Sequence, residues 1–288
     1  MDLTSKDICI ESLPRLGAID LNQLWESVPL TPVEARVPGL DRYEARHDEW
    51  TEKIRIMGLD GGLLVDYRLL PGLDRLFEYL YSQSGWARPE VYIVSDMGRR
   101  GIDSWSAVSV VSQKRPIMLL GTRLVESLSE VELAFVIGHE TGHLLSYTSE
   151  WSRDMSLGFL IRDLVDNNQQ ETLERVLPGR KWMNVYRQVM ANCRSMEIRC
   201  DRMGLLMCGD WKQAASALLS VALKSAVLAR RVDLEKYLSV QYPLLATAPV
   251  AGPISMNAGH PFVPYRINAL MDFVRAGHFQ SSLRRFGR

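Results

Sequence analysis

In the stretch FVIGHETGHLLS, residues 135–146, two histidines stand four apart with a glutamate beside the first. The flanking residues read as a helix. Ser127-x-x-Glu130 and Ser129-x-x-Glu132 each fit a capping box at its start, and Leu133, Val136, Ile137, Leu144 and Leu145 give it an apolar stripe. Helical positions four apart differ by about 40° around the axis and about 6 Å along it. His139 and His143 therefore project from one face on consecutive turns and can share one metal ion. Glu140 lies beside that face, where its carboxylate can take a proton from an activated water, the His-Glu-x-x-His arrangement of zinc hydrolases. The chain has only five histidines in 288 residues. Composition alone would produce the pattern with a probability on the order of one percent.

A catalytic zinc keeps three protein ligands and a water, so a third ligand is needed. The extended His-x-x-Gly-x-x-His continuation fails, because Ser146 and Ser149 stand where glycine and histidine are required. A carboxylate from a later helix is the remaining plan. Asp163 is one candidate. Glu197 in RSMEIRCDRMG is the better one, because Asp201 follows it by four residues on the same helical face. Glu197 can then bind zinc while Asp201 accepts a hydrogen bond from the far nitrogen of a ligating histidine and fixes its tautomer.

HETGH, then EIRCD, then GHPFVPYRI (259–267), in that order, resembles the HtpX-like and CAAX prenyl endopeptidase family of zinc peptidases. The similarity covers residues 65 to 275. It implies an α+β fold: a mostly helical, zincin-like metallopeptidase domain with a small, mainly antiparallel sheet before the active-site helix. It also implies one Zn²⁺ per chain held by His139, His143 and Glu197, with Glu140 as general base and Asp201 behind the ligands. His260 and Arg266 would lie near the catalytic centre, stabilising an oxyanion or holding the wall of the site together. The chain departs from the family in two places. Most relatives are membrane proteins with spans between the active-site helix and the third ligand, whereas residues 148–192 here are too charged to span. Relatives often carry an Asn-Ala pair on the strand facing substrate, where this chain has DSWSAVS.

The rest of the chain agrees with an α+β reading. PEVYIVSD (89–96) and SWSAVSVVS (104–112) read as strands, and RPIMLLG adds a third that turns at Gly121. Long helical patterns follow to the end. SWSAVSVVS is the expected sheet edge, with Trp105, Ser106 and Ala107 as candidate substrate contacts through β-augmentation. From about residue 63, LLVDYRLLPGLDRLFEYLYSQSG has helical spacing, with Pro71 starting its second part. Residues 1–55 are polar and proline-bearing and read as an N-terminal arm, either wrapped around the main domain or a mobile regulatory segment, with 56–288 as the metallopeptidase domain.

Lys+Arg and Asp+Glu are both 34, which argues against a broad electrostatic surface for nucleic acid or anionic membrane. Four cysteines, three of them in 193–208, make no disulfide framework and read as free thiols in a reducing compartment. With no basic, apolar leader and no run of about 20 apolar residues, we expect a soluble, cytoplasmic protein acting on peptides or proteins. Two rival readings differ in kind. One is a catalytically silent scaffold that keeps zinc as a staple. The other is a latent enzyme whose arm blocks the cleft, through Cys9 or an acidic residue, until a regulatory partner releases it.

Overall fold

Glu90–Val94 and Ile117–Gly121 are apolar at nearly every position, the composition of strands covered on both faces. The computed structural model describes residues 10–15, 19–25, 28, 30, 40–95, 103–111, 115–147, 152–177, 181–248 and 259–284. The four strands are β1 (Gly62–Leu64), β2 (Glu90–Val94), β3 (Ala107–Val110) and β4 (Ile117–Gly121). They form one sheet in the order β1-β2-β4-β3. The two outer pairs are antiparallel and the central β2–β4 pair is parallel. The sheet is therefore mixed but mainly antiparallel, with β1 and β3 at its edges.

The helices, in chain order, are α1 (Leu21–Trp25), α2 (Leu40–Gly61), α3 (Pro71–Ser84), α4 (Thr122–Ser127), α5 (Glu130–Tyr147), α6 (Ser152–Asp166) and α7 (Gln170–Val176). They continue as α8 (Lys181–Cys208), α9 (Trp211–Leu223), α10 (Ala226–Ala229), α11 (Leu234–Thr247), α12 (Val263–Arg275) and α13 (His278–Arg284). The period-two alternation of the strands sorts their side chains. Tyr92, Val94, Val110, Ile117 and Leu119 pack on one face with Ile54 of α2. Val91, Ile93, Met118 and Leu120 enter the main core on the other, with Leu73, Leu76 and Phe77 of α3. No helix among the described residues is long and apolar enough to cross a membrane.

One expectation is corrected. The helical spacing from residue 63 does not become helix until Pro71, which occupies the first helical turn of α3. The preceding segment pairs with β2 instead, Gly62 opposite Val94 and Leu64 opposite Tyr92. Sheet pairing over a buried face outweighs a weak local pattern there. The charged run DRYEARHDEWTEK lies in α2, which passes through residue 55 and lays Ile54 on the sheet.

α5 is buried from Glu132 to Gly142 on every side, more enclosed than a helix with one apolar stripe. Its N-terminus closes with the Ser129–Glu132 box. The Ser129 N–H donates to Glu132 Oε2 (2.9 Å), and the Glu132 N–H donates to Ser129 Oγ (3.3 Å). Ser127, of the alternative box, ends α4. Glu132 also accepts from Ser216 Oγ on α9 (2.7 Å) and from Arg230 Nη2 after α10 (2.5 Å). One cap thus joins three helices.

Against α5 lies α8, and the two backbones meet at glycines. A Cβ on Gly138 would stand 2.8 Å from Gly204 Cα, and one on Gly204 would stand 2.6 Å from the Phe135 carbonyl oxygen. One turn on, a Cβ on Gly142 would stand 2.9 Å from Cys200 Cα. Backbone cannot withdraw as a flexible side chain can, so Gly204→Ala should cost about 1–3 kcal/mol or more, read as a lower midpoint in urea unfolding. A substitution leaving the midpoint unchanged would mean the helices have room to part.

Burial works to raise the Glu132 pKa, but Arg230, the Ser129 N–H and Ser216 outweigh it and hold the carboxyl below its ordinary value. A depressed folded pKa stabilises above the unfolded value of about 4.3 and is lost as pH falls below it. The stability gap between wild type and Glu132→Gln should be constant above about pH 5.5 and narrow as pH falls through 4. A gap independent of pH over that window would contradict an ionised Glu132.

Candidate metal centre

The glycine-lined crossing brings the third carboxylate to the histidines. His143 Nε2 lies 3.2 Å from His139 Nε2 and 3.3 Å from Glu197 Oε1, and His139 Nε2 lies 3.6 Å from Glu197 Oε2. His139, His143 and Glu197 are the only described His, Cys, Asp or Glu residues that gather as a set able to hold a metal. Zinc bonds of about 2.0–2.1 Å in a tetrahedron separate ligand atoms by about 3.3–3.4 Å, so the spacing fits. Two imidazoles and one carboxylate are also the donor set of a catalytic zinc. Glu197 is buried, and its Oε2 has no aligned hydrogen bond, a group that a cation would satisfy.

The other side of each ligand is held. Asp201 Oδ1 lies 2.9 Å from His139 Nδ1, which leaves Nε2 turned to Glu197. Arg266, on α12, donates to both Asp201 oxygens, from Nε to Oδ2 (2.8 Å) and from Nη2 to Oδ1 (2.6 Å), and its Nη1 lies 3.3 Å from Glu197 Oε2. His260 Nδ1 is 3.0 Å from the same oxygen, with its side chain largely exposed. Burial works to raise the Glu197 pKa, but the Arg266 charge, His143 and His260 hold the carboxyl well below the ordinary range. The Asp201 pKa is lowered in the same way, Arg266 outweighing burial. For His143 burial favours the neutral ring, but Cys200 and Glu197 prevail and raise its pKa well above the usual value. A metal would displace that proton on binding.

Glu140 projects toward the sheet. Ser109 of β3 has its hydroxyl 2.8 Å from both the Glu140 carboxylate and the Glu140 carbonyl oxygen. On β3, Ala107 and Ser109 face α5, while Val108 and Val110 face α2. Gly121 N–H donates to Ser106 O (2.8 Å). Antiparallel alternation from that bond leaves the backbone groups of Ala107 and Ser109 pointing away from β4, toward the open edge.

Ligands and edge strand border a cavity of about 1230 Å³, closed by Phe135, Leu218 and Val221 on one side and by Glu49, Trp50 and Lys53 of α2 on another. Ser106 and Ala107 line it. Trp105 instead packs against the main core. Asp163 lines the cavity from α6 but is not in the ligand group. Cys9 lies outside the described residues. Ser109 was not singled out from the sequence, although it shares a strand face with Ala107, two residues away.

Comparison with known proteins agrees with this layout. The profile of Peptidase family M48 matches residues 111–274. The chain is 24% identical over 263 residues to the plastoglobule-localized metallopeptidase 48, chloroplastic, of Arabidopsis thaliana, covering 88% of this chain and 72% of that protein. No solved structure matches.

Asp201→Asn keeps the shape but can present an amide N–H to His139. It should weaken zinc binding by about 10–100-fold, measured by competition with a chromogenic chelator. Affinity equal to wild type would show that Asp201 does not set the histidine tautomer.

Proposed function

The chain belongs to peptidase family M48, and from that premise we propose that it is a zinc-dependent endopeptidase in which His139, His143 and Glu197 hold the ion and Glu140 is the general base. The observation that carries the reading is the clustering of the three ligand atoms beside a glutamate held by the edge strand. Zinc at this site would supply a water acid enough to attack at neutral pH and would polarise the scissile carbonyl.

The chain's own residues account for the rest. A peptide aligned antiparallel to β3 would bond the outward backbone groups of Ala107 and Ser109, which sets its carbonyl over the ligand turn. Glu140 takes the proton of the attacking water and passes it to the leaving amine, so one C–N bond is hydrolysed to a carboxylate and an amine. Ser109 keeps the Glu140 carboxylate aimed. Arg266 fixes Asp201 and Glu197, and His260, exposed at the rim, is the group placed to donate to the developing oxyanion. Substrates are proteins or peptides in extended form. Its work is in an aqueous compartment, the cytoplasm being our first expectation. The name of the Arabidopsis relative places that protein at plastoglobules, which makes a peripheral lipid-body location the second.

A silent scaffold has no use for Glu140, and Ser109 orients that carboxylate. Glu140→Gln should lower peptide cleavage by about 10²–10⁴-fold while zinc content stays at one per chain, checked by a casein or peptide assay with metal analysis. Bound zinc without cleavage by the wild type would return the scaffold or latent reading, and a wild type without zinc would remove the metallopeptidase reading.

A further inference from the structure

The residues ahead of α2 run along α8 in reverse order. Pro14 packs at Gly209, just past the end of α8. Arg202 Nη1 donates to the Leu24 carbonyl (3.0 Å), and Arg199 Nε donates to the Val28 carbonyl (2.7 Å) with its guanidinium 5.1 Å above the Trp25 ring. Leu30 forms a separate buried cluster with Met196 and Cys200. As the chain advances from 14 to 30, its contacts on α8 retreat from 209 to 196.

That last cluster sits behind the ligand turn. Cys200 is three residues past Glu197, and its sulfur lies 3.0 Å from where a Cβ on Gly142 would stand. The thiol is also within hydrogen-bond reach of the His143 ring. Leu30 therefore closes the interior on the far side of the residue that backs the second histidine. The two arginines bind this segment strongly for a simple reason. Both are buried with the segment docked, and it supplies the backbone carbonyls that accept from them, so it bonds the guanidinium groups that it helps to cover.

We propose that Leu24, Trp25, Val28 and Leu30 form a strap that positions α8, seating Glu197 and Cys200 against α5, so that the centre holds its metal tightly only while the strap is docked. The proposal rests on reading His139, His143 and Glu197 as the ligands. In it Cys200 is a positioning residue for His143, and Leu30 acts through Cys200. A plug in the cleft is one rival reading of the arm; the contacts that its described residues between 14 and 30 make along α8 lie behind the ligands.

The test compares full-length wild type, Leu30→Ala, Leu30→Ile and Arg199→Lys. Three quantities are read: zinc transfer to a chelator, alkylation of Cys200 by iodoacetamide followed by peptide mass spectrometry, and amide hydrogen exchange over residues 193–204. Leu30→Ala should lose zinc and alkylate at Cys200 at least about 10-fold faster, with faster exchange around the ligand turn and unchanged helical content by circular dichroism. Leu30→Ile should behave as wild type. If Leu30→Ala does not fold, Arg199→Lys, which keeps the charge but loses the bond to Val28, carries the same comparison. Faster alkylation with zinc loss at the wild-type rate would make the segment a mere cover and overturn the proposal, as would no change in any quantity. A wild type that binds no zinc would count against the peptidase reading. That outcome would remove the strap's metal-holding role together with the peptidase reading, whereas zinc bound by the wild type and lost at the same rate by Leu30→Ala would overturn the strap alone.

Discussion

The backbone-to-backbone approach of α5 and α8 sets the distance on which the metal centre depends. Two imidazole nitrogens and a carboxylate oxygen must come within about 3.3–3.4 Å of one another to share a zinc. The histidines come from one helix and the carboxylate from another, and a glutamate side chain has limited reach. Helices whose contact is made by leucines sit about 8–10 Å apart. Gly138 and Gly204 let the backbones touch, and Glu197, two turns before Gly204 on α8, then reaches Nε2 of both histidines. The same approach puts Asp201 against the back of His139. Side chains larger than hydrogen at these positions would separate the helices and the ligands together.

Close packing also concentrates charge. Glu197 and Asp201 are buried within one helical turn of each other, and two neighbouring carboxylates would repel in a low-dielectric interior. Arg266 touches both, and its own pKa is raised, the two carboxylates outweighing burial. One guanidinium offsets two carboxylates only in part, and the proton that His143 carries balances the rest until a dication displaces it. The α12 helix is tied into the candidate centre through this arginine, so the C-terminal region braces the ligand group without adding a member to it. His260 joins from the loop before α12, with most of its ring in solvent.

Much of this was legible in the sequence because the relevant signals are local. Four-residue spacing on a helix determines which side chains share a face, so His139 with His143 and Glu197 with Asp201 needed no tertiary knowledge to be paired. The alternation of SWSAVSVVS likewise announced an edge strand. What stayed hidden depends on contacts between distant segments. Gly62–Leu64 is a strand because β2 lies beside it, and the apolar spacing of its own residues points the other way. Ser109 is one serine among several until α5 brings Glu140 to it. The glycines of α5 and α8 look like helix-weakening residues in the sequence, and only their mutual contact explains them.

Among the described residues the sheet ends at β1 and β3, and the surroundings of these two edges differ. β1 is three residues long, with Leu63 exposed, so it offers few backbone groups. β3 is bordered by the cavity, and its outward backbone groups at Ala107 and Ser109 belong to the same residues whose side chains face α5. A chain added there would be held in register with the ligand turn by the strand that also aims Glu140. Under the proposed function, positioning of substrate and orientation of Glu140 would be one structural task, shared by Ala107 and Ser109 of β3. Phe135, Leu218 and Val221 give the same cavity an apolar part of its lining. Under the proposed function, backbone pairing on β3 would be indifferent to side-chain identity, so discrimination among peptides would fall to that lining and to the α2 residues Glu49, Trp50 and Lys53.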